Sequence, residues 1–229
     1  MEINKKLTKV NFTDKNSTSR IKYLVVHYVG ATGGAKANAD YFYDTYRGAS
    51  AHYFIGHYGE IYQVVEDNDI SWHCGTSGTY YHKSCRNSNS IGIELCCRKD
   101  KNGNWYFEEA TLKAAYELVN YLMKKYNVPI GNVIRHYDIT HKICPEPFVR
   151  NAAAWSNFKS NVLAANKLEV GDKVKLASGA VYYDGKSIPL WVKASTLYVR
   201  DISGNRVVVS TQRSGAITGA VDKKYLKEV

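Results

Sequence analysis

The stretch 21–29, Ile-Lys-Tyr-Leu-Val-Val-His-Tyr-Val, is rich in β-branched and aromatic residues, and Gly30 follows it directly. A short apolar run closed by glycine predicts a buried β-strand that opens into a loop. Folds of the α/β class place their chemistry at the carboxyl ends of such strands. His27, near that end, is therefore a candidate functional residue, although a hydrogen-bonded core histidine explains this stretch equally well.

Outward from this strand, the first 162 residues mix strand-like and helix-like patterns. Apolar residues recur at helical spacing in three segments, and β-rich runs separate them. The predicted strands are 50–56, 60–65, 90–97 and 132–136, and the predicted helices are 35–46, 108–126 and 151–162. This pattern predicts a mixed central β-sheet flanked by helices. The segment 71–89 has no periodicity, and a loop of this length is expected to form one wall of a cleft.

In the predicted strand Ser-Ile-Gly-Ile-Glu-Leu-Cys-Cys, residues 90–97, apolar side chains alternate with Gly92 and Glu94. Strand periodicity places Glu94 on the face opposite the isoleucines. That face could simply be hydrated. Gly92, on the same face as Glu94, instead favours a site where a ligand or another backbone approaches closely. A desolvated glutamate beside activated water would be a suitable general base.

The stretch 135–147, Arg-His-Tyr-Asp-Ile-Thr-His-Lys-Ile-Cys-Pro-Glu-Pro, concentrates chemically active side chains. Imidazole and thiolate are ligands that Zn²⁺ prefers, so His136 and Cys144 are candidate metal ligands, with His27 as a third. Lys142 would place a cation where it could stabilise an oxyanion. The His–Cys spacing matches no standard zinc finger, so a core histidine and a buried cysteine remain an alternative.

From Lys167 onward the pattern changes to short strands separated by Gly, Asp and Ser. Such a series of about sixty residues predicts a small closed all-β barrel. The predicted strands are 170–176, 180–183, 190–192, 197–202, 206–210 and 216–221. Tyr182, Tyr183 and Trp191 are candidate ligand contacts or core aromatics.

Composition limits the classes of function. The chain has 229 residues, 45% of them hydrophobic, which is enough for a substantial core. The polar N-terminus predicts no signal peptide, and no segment is apolar enough to span a membrane. Five cysteines argue against a disulfide framework, although Cys74 and Cys85 could pair. The net charge of +10 favours polyanionic partners such as nucleic acid, anionic lipid or an acidic wall polymer.

Five ordered motifs within residues 20–160 resemble the zinc-dependent N-acetylmuramoyl-L-alanine amidases of the amidase-2 type, common among bacteriophage endolysins. The motifs are Leu-Val-Val-His (24–27), Ser-Ala-His-Tyr (50–53), Trp-His-Cys-Gly (72–75), Asn-Ser-Ile-Gly-Ile-Glu (89–94), and His136 followed by Lys-Ile-Cys-Pro (142–145). The C-terminal strands resemble, more weakly, the SH3-like wall-binding modules of endolysins.

The resemblance implies one Zn²⁺ held by His27, His136 and Cys144, with Glu94 as acid/base and Lys142 stabilising the oxyanion. It places Trp72, His73 and Asn89 on the substrate side of the cleft. The implied reaction is hydrolysis of the amide between N-acetylmuramic acid and L-alanine in peptidoglycan. Two positions depart from the family pattern. Ala51 replaces a tyrosine found in some relatives, which favours Glu94 as the base, and His141 could compete with His136 for the metal.

The implied organisation is a zinc amidase domain at 1–162 and an SH3-like wall-binding domain at 167–229. Synthesis in the host cytoplasm without a signal peptide would require release, with holin assistance, to reach the wall. A non-catalytic peptidoglycan-recognition protein would share the fold but normally lacks the cysteine ligand. A nucleic-acid-binding protein would explain the charge, but no basic stripe or nucleic-acid motif is present. The sequence leaves the host, the wall chemotype and the oligomeric state open.

Overall fold

The computed structural model describes residues 1–165 and 168–228, which divide into two compact units on either side of the intervening pair. Each unit has its own cluster of buried apolar side chains. Lys167, the predicted start of the second domain, and Val229, its predicted end, lie outside the described residues. The exact domain limits therefore stay a prediction.

A six-stranded mixed sheet forms the centre of the first unit. Its strands are β1 (Asn4–Lys5), β3 (Tyr23–Tyr28), β4 (Tyr53–Ile55), β5 (Ile61–Gln63), β7 (Ser90–Leu95) and β10 (Val133–Arg135). Their order across the sheet is β1-β5-β4-β7-β3-β10. The β4–β5 hairpin is antiparallel and every other neighbouring pair is parallel. The predicted mixed central sheet is confirmed.

Alternation along β3 and β7 decides which side chains enter the core. Leu24 and Val26 of β3 pack in the same cluster as Ile91 and Ile93 of β7. This face is covered by helices α2 (Glu109–Tyr126) and α5 (Ala152–Ala164). Since successive side chains of a strand point to opposite faces, His27 and Glu94 lie on the other face.

That other face is covered by α1 (Ala35–Phe42) and by the short helix α3 (His136–Thr140). Helix α1 ends four residues before the predicted end at Tyr46. The carbonyl groups of Phe42 and Thr45 accept hydrogen bonds from the side chain of Asn11, and that of Phe42 also accepts one from Thr8. These tertiary contacts replace the hydrogen bonds of a continuing helix.

Two short strand pairs and a short helix also belong to the first unit. Strands β2 (Phe12–Thr13) and β6 (Ile70–Ser71) form an antiparallel pair, as do β8 (Arg98–Lys99) and β9 (Trp105–Tyr106). Helix α4 (Glu146–Arg150) follows the Cys144 segment. Within the described residues, no helix combines the length and apolar character needed to cross a membrane.

The second unit is built on a five-stranded antiparallel sheet. Its elements are β11 (Lys173–Leu176), α6 (Leu190–Ala194), β12 (Leu197–Ser203), β13 (Arg206–Ser210), β14 (Gly219–Asp222) and β15 (Leu226–Glu228). The order across the sheet is β14-β13-β12-β11-β15. Buried valines of β12 and β13 fill its core. An SH3-like barrel stays a prediction.

Two predicted strands of this unit are wrong. The segment 190–192 is the start of helix α6, which begins after Pro189 and buries Val192 while Trp191 stays exposed. Short apolar runs do not distinguish a strand from a buried helical turn. The segment 180–183 makes only isolated bridges through Val181 and Tyr182.

Candidate active site

A cavity of about 260 Å³ opens on the α1-side face, where parallel strands β3, β7 and β10 end. Five of the predicted catalytic and metal-binding residues line it together: His27, Glu94, His136, Lys142 and Cys144. The cavity exists at this position because β3 and β7 lie side by side in the sheet and β10 borders β3. The carboxyl ends of these strands therefore deliver their side chains to one place.

His27, His136 and Cys144 form a compact buried cluster. One ligand atom from each lies within 4.8 Å of the others. His27 Nδ1 is 3.7 Å from Cys144 Sγ, and the rings of His27 and His136 are 4.8 Å apart. His136 Nε2 is buried without a hydrogen-bond partner among the described residues. Two imidazoles, one thiol and an unsatisfied ring nitrogen fit a bound metal ion.

Local hydrogen bonds hold the second and third members of this cluster. The Asp138 carboxylate accepts the backbone N–H of Arg135 at 2.8 Å, which fixes the start of α3 and so places His136 in its first turn. The Cys144 carbonyl accepts the backbone N–H of Tyr137 at 2.8 Å. The segment that carries Cys144 is thereby tied to the helix that carries His136.

Burial sets the charge state of the cluster. It lowers the pKa of His27 well below its usual value, helped by the neighbouring His136, and it lowers the pKa of His136 to about 4. Both rings are therefore neutral at pH 7, which is the form that binds a metal. Burial raises the pKa of the Cys144 thiol, as does the Glu94 carboxylate. A metal cation would reverse that preference, because a coordinating thiol is deprotonated.

Glu94 lies beside the cluster of His27, His136 and Cys144, with its Oε1 4.0 Å from His27 Nδ1. Burial raises the pKa of Glu94 to about 7, against the opposing effect of the positive charge of Lys142. Its second oxygen, Oε2, is buried and has no partner among the described residues. A carboxyl group with this pKa can both accept and return a proton near neutral pH.

Lys142 is exposed and lines the edge of the cavity. Its charge lowers the pKa values of His27, His136 and Glu94, which places it within electrostatic reach of all three. The cavity therefore combines a half-buried carboxyl group, the cluster of His27, His136 and Cys144, and a cation at its edge.

The three predicted substrate contacts are not equivalent. Trp72 and His73 line the cavity, whereas Asn89 does not. The indole N–H of Trp72 donates to Thr13 Oγ1 at 2.9 Å. Trp72 therefore offers the face of its ring, and not its N–H group, to the cavity. The side chain of Asn89 accepts from the backbone N–H of Arg86 and donates to the carbonyl of Ser84. Asn89 therefore shapes the 71–89 loop.

Gly92 makes space for the side chain of His73, where the sequence predicted the close approach of a ligand or another backbone. A Cβ at this position would lie 2.5 Å from Cγ of His73. The ring of His73 thus occupies the volume that a side chain at position 92 would need, and it reaches His27, with His73 Nδ1 3.0 Å from His27 Nε2. His52 has a structural role, because its Nδ1 accepts the backbone N–H of Gly92.

His141 is not part of the cluster of candidate metal ligands. Its ring stacks on that of Tyr81 with 3.6 Å between centroids, and its backbone has a positive φ of 58° where α3 ends. This left-handed position explains why glycine would also suit it. The hypothesis of competition with His136 is not supported. All five cysteines, including Cys74 and Cys85, are free thiols.

Two residues with polar contacts at this site were not predicted from the sequence. Tyr28 lines the cavity, and its hydroxyl donates to Glu146 Oε2 at 3.3 Å. Tyr28 directly follows His27 in the sequence, and this neighbouring position is the signal that could have identified it as a site residue. Ser90 binds the far side of the His73 ring at 3.0 Å, a contact between a loop and a strand start that no sequence spacing reveals.

Comparison with known proteins places this site in a family. A family profile described as N-acetylmuramoyl-L-alanine amidase (Amidase_2) matches residues 17–147. A probable N-acetylmuramoyl-L-alanine amidase of Bacillus licheniformis is 33% identical over 164 residues, covering 67% of this chain and 45% of the relative. The 1,6-anhydro-N-acetylmuramyl-L-alanine amidase AmpD of Haemophilus influenzae is 30% identical over 149 residues, covering 58% of this chain and 78% of the relative.

A solved structure of a mutant endolysin from Bacillus subtilis is 27% identical, with a TM-score of 0.56, over 71% of this chain and 99% of that one. This chain spans about half the length of the first curated relatives that it matches. The family profile covers more than half of this chain, including all three members of the buried cluster. The chain belongs to the N-acetylmuramoyl-L-alanine amidase (Amidase_2) family.

Proposed function

We propose that the first unit is a zinc-dependent N-acetylmuramoyl-L-alanine amidase that hydrolyses the amide between the lactyl group of N-acetylmuramic acid and L-alanine in peptidoglycan. The observation that carries this proposal is the convergence of His27, His136 and Cys144 on one point beside Glu94. The names of the relatives, which are amidases of this bond, support the substrate class.

Zinc is the metal that best suits these donors. Two neutral imidazoles and one thiolate are typical of a catalytic zinc site, which keeps a fourth position open for water or substrate. Zinc bound there would acidify water and polarise a carbonyl group. The three side chains belong to β3, α3 and the segment before α4, three parts of the chain that the fold brings together.

Glu94 is assigned the proton transfers. Its carboxylate takes a proton from the attacking water as the new C–O bond forms on the lactyl carbonyl carbon. It then delivers that proton to the leaving nitrogen as the C–N bond breaks. The products are a lactyl carboxylate on the sugar and a free amino group on L-alanine. A pKa of about 7 suits both halves of this exchange.

Lys142 is assigned to the oxyanion. Its ammonium group borders the cavity and can approach the carbonyl oxygen of a bound substrate. Trp72 would offer its ring face to the substrate along the other wall. A non-catalytic recognition protein is the less favoured alternative, because it has no need for a buried thiol or for a carboxyl group with a raised pKa.

We also propose that the second unit binds the cell wall through an SH3-like module. It has a groove of about 500 Å³ lined by Tyr182, Tyr183 and Arg206 among others. Tyr183 and Trp191 are exposed, which fits ligand contacts better than a core role. Tyr182 packs against Gly219, where a Cβ would lie 2.4 Å from its ring. Holding the enzyme on the wall would raise the local substrate concentration.

An endolysin role follows from these two parts. The enzyme would be made in the bacterial host, reach the wall after holin-assisted release and degrade it there. The mutant endolysin from Bacillus subtilis among the similar solved structures supports this role. The net charge of +10 fits an anionic wall polymer as partner.

The proposal is tested by digesting purified walls with the zinc-loaded protein. We expect new L-alanine amino termini without new reducing sugar ends, and loss of activity when a chelator removes the metal. New reducing ends would indicate a glycosidase. Binding to walls without any cleavage would favour the recognition protein instead.

A further inference from the structure

His73 contacts His27 but is not one of the three candidate metal ligands. A series of hydrogen bonds runs from His27 through His73 and Ser90 to a backbone carbonyl group. His27 Nε2 is 3.0 Å from His73 Nδ1, His73 Nε2 is 3.0 Å from Ser90 Oγ, and Ser90 Oγ is 2.7 Å from the carbonyl oxygen of Arg86. His27, His73 and Ser90 are all buried. The carbonyl oxygen of Arg86 at the end of this series determines which group donates in each hydrogen bond.

The carbonyl oxygen of Arg86 can only accept, so the Ser90 hydroxyl donates to it. That hydroxyl has a single hydrogen, and toward His73 it therefore acts as acceptor. His73 Nε2 must carry a proton. His73 is buried, and among the described residues the hydrogen-bond partners of its ring are a histidine and a hydroxyl, so no carboxylate is in place to stabilise a charged ring and the imidazole is neutral. In a neutral imidazole the other nitrogen is then an acceptor.

The position of the proton on His27 follows in the same way. Because His73 Nδ1 accepts, His27 Nε2 carries the proton and donates to it. The lone pair of His27 is then on Nδ1, the atom that lies 3.7 Å from Cys144 Sγ. We infer that His73 is a positioning residue, which selects the tautomer and ring orientation of His27 that present Nδ1 to the metal. This inference rests on the proposed function for the metal itself.

The surroundings of His73 are shaped for this task. The side chain of Asn87 accepts the backbone N–H groups of both His73 and Cys74, at 3.1 and 2.8 Å, which holds the start of the loop. Gly92 leaves the space that the ring fills, since a Cβ there would be 2.5 Å away. The loop 71–89 therefore has a specific role, to bring an acceptor to the back of a metal ligand.

The acceptor is itself a histidine, whereas a metal-bound histidine usually donates to a carboxylate, a carbonyl group or water. A neutral acceptor adds no negative charge behind the metal. His73 can act as this acceptor only while Ser90 accepts the proton of its Nε2. Without Ser90, the proton of the His73 ring could move to Nδ1. Ser90 thus sets the tautomer of His73, and His73 in turn sets the tautomer of His27.

The first test is made on the metal-free wild-type protein by long-range ¹H–¹⁵N NMR of the histidine rings. We expect both His27 and His73 to be protonated on Nε2, with an unprotonated Nδ1. A His27 ring protonated on Nδ1 would overturn the inference. This spectrum needs neither metal nor substrate, so it judges the hydrogen-bond chain separately from the amidase proposal.

The second test is zinc affinity, measured by chelator competition. His73→Leu removes the acceptor and should weaken zinc binding by about 10- to 100-fold, the usual scale for a partner of a metal ligand. His73→Gln keeps an amide oxygen that can accept from His27 and should recover most of the loss. His82→Gln, in the same loop, is the control and should bind zinc as the wild type does.

Unfolding of the metal-free variants, followed by circular dichroism, separates positioning from general stability. Wild-type zinc affinity in His73→Leu would overturn the inference, as would equal losses in the leucine and glutamine variants. A wild-type protein that binds no zinc would instead overturn the proposed function.

Discussion

His27 and Glu94 occupy paired positions in the adjacent parallel strands β3 and β7, and His27 Nδ1 lies 4.0 Å from Glu94 Oε1. One sheet register therefore places a metal ligand and a candidate base side by side. Shifting either strand by one residue would turn its side chain to the opposite face. The relative position of these two groups is thus set by the same pairing that builds the hydrophobic core.

Glu94→Gln should retain zinc and lose about 10²-fold or more in the rate of amide hydrolysis, because an amide cannot take a proton from water. Metal content and the release of L-alanine amino termini are the two measurements. Glu117→Gln, on the exposed surface of α2, is the matched control and should have wild-type activity. Full activity in Glu94→Gln would remove Glu94 from the mechanism.

Alanine at His27, His136 or Cys144 should abolish stoichiometric zinc binding and wall lysis, because two protein ligands rarely hold zinc tightly. The purified wild type should contain about one zinc per chain. Cys97→Ser should keep both properties, since Cys97 is buried outside the cluster. Cys144→Ala with full zinc occupancy and full activity would disprove the ligand assignment.

Lys142→Ala should retain zinc and lower the hydrolysis rate, because the cation beside the developing oxyanion is gone. It should also raise the pKa of Glu94 further, since the positive charge of Lys142 lowers it in the wild type. Lys142→Arg should recover part of the rate. Lys101→Ala, in an exposed turn, is the control for the loss of one charge. An unchanged rate in Lys142→Ala would contradict its role.

In the metal-free protein, Glu94 should make stability depend on pH. The folded state holds the Glu94 proton up to about pH 7, whereas the unfolded chain releases it near 4.5. The wild type should therefore lose stability relative to Glu94→Gln as pH rises through this window, by about 3 kcal/mol at most. Urea unfolding of both proteins at several pH values measures the difference. A constant difference between pH 4.5 and 8 would mean that the pKa is not raised.

Residues 1–165 should fold alone and cleave small soluble muropeptides, because every proposed catalytic residue lies in the first unit. The isolated second unit should sediment with walls. Its basic charge predicts that this binding weakens as salt is raised from low to physiological concentration. Part of the binding should persist, because exposed aromatic side chains such as Trp191 also contribute. Absence of sedimentation at low salt with walls of every Gram-positive species tested would leave this unit without its assigned role.

Periodicity predicted the central sheet and the two large helices, because strands β3 and β7 and helix α2 bury continuous apolar faces. The site residues were predictable where they belong to those strands or to the His136–Cys144 segment. The sequence did not reveal that Gly92 accommodates His73, or that Asn89 folds back on its own loop. The first depends on a contact between a loop without periodicity and a strand, and the second on hydrogen bonds within that loop. Helix α6 was missed because three apolar residues fit a strand and a helical turn equally well.

The central claim is hydrolysis of one amide bond by activated water, and isotope labelling tests it most directly. Walls are digested in ¹⁸O-labelled water, and the fragments are identified by mass spectrometry. The account predicts one ¹⁸O atom in the lactyl carboxylate of N-acetylmuramic acid and stem peptides that begin with unlabelled L-alanine. Label in a sugar reducing end, or cleavage only within the stem peptide, would contradict it.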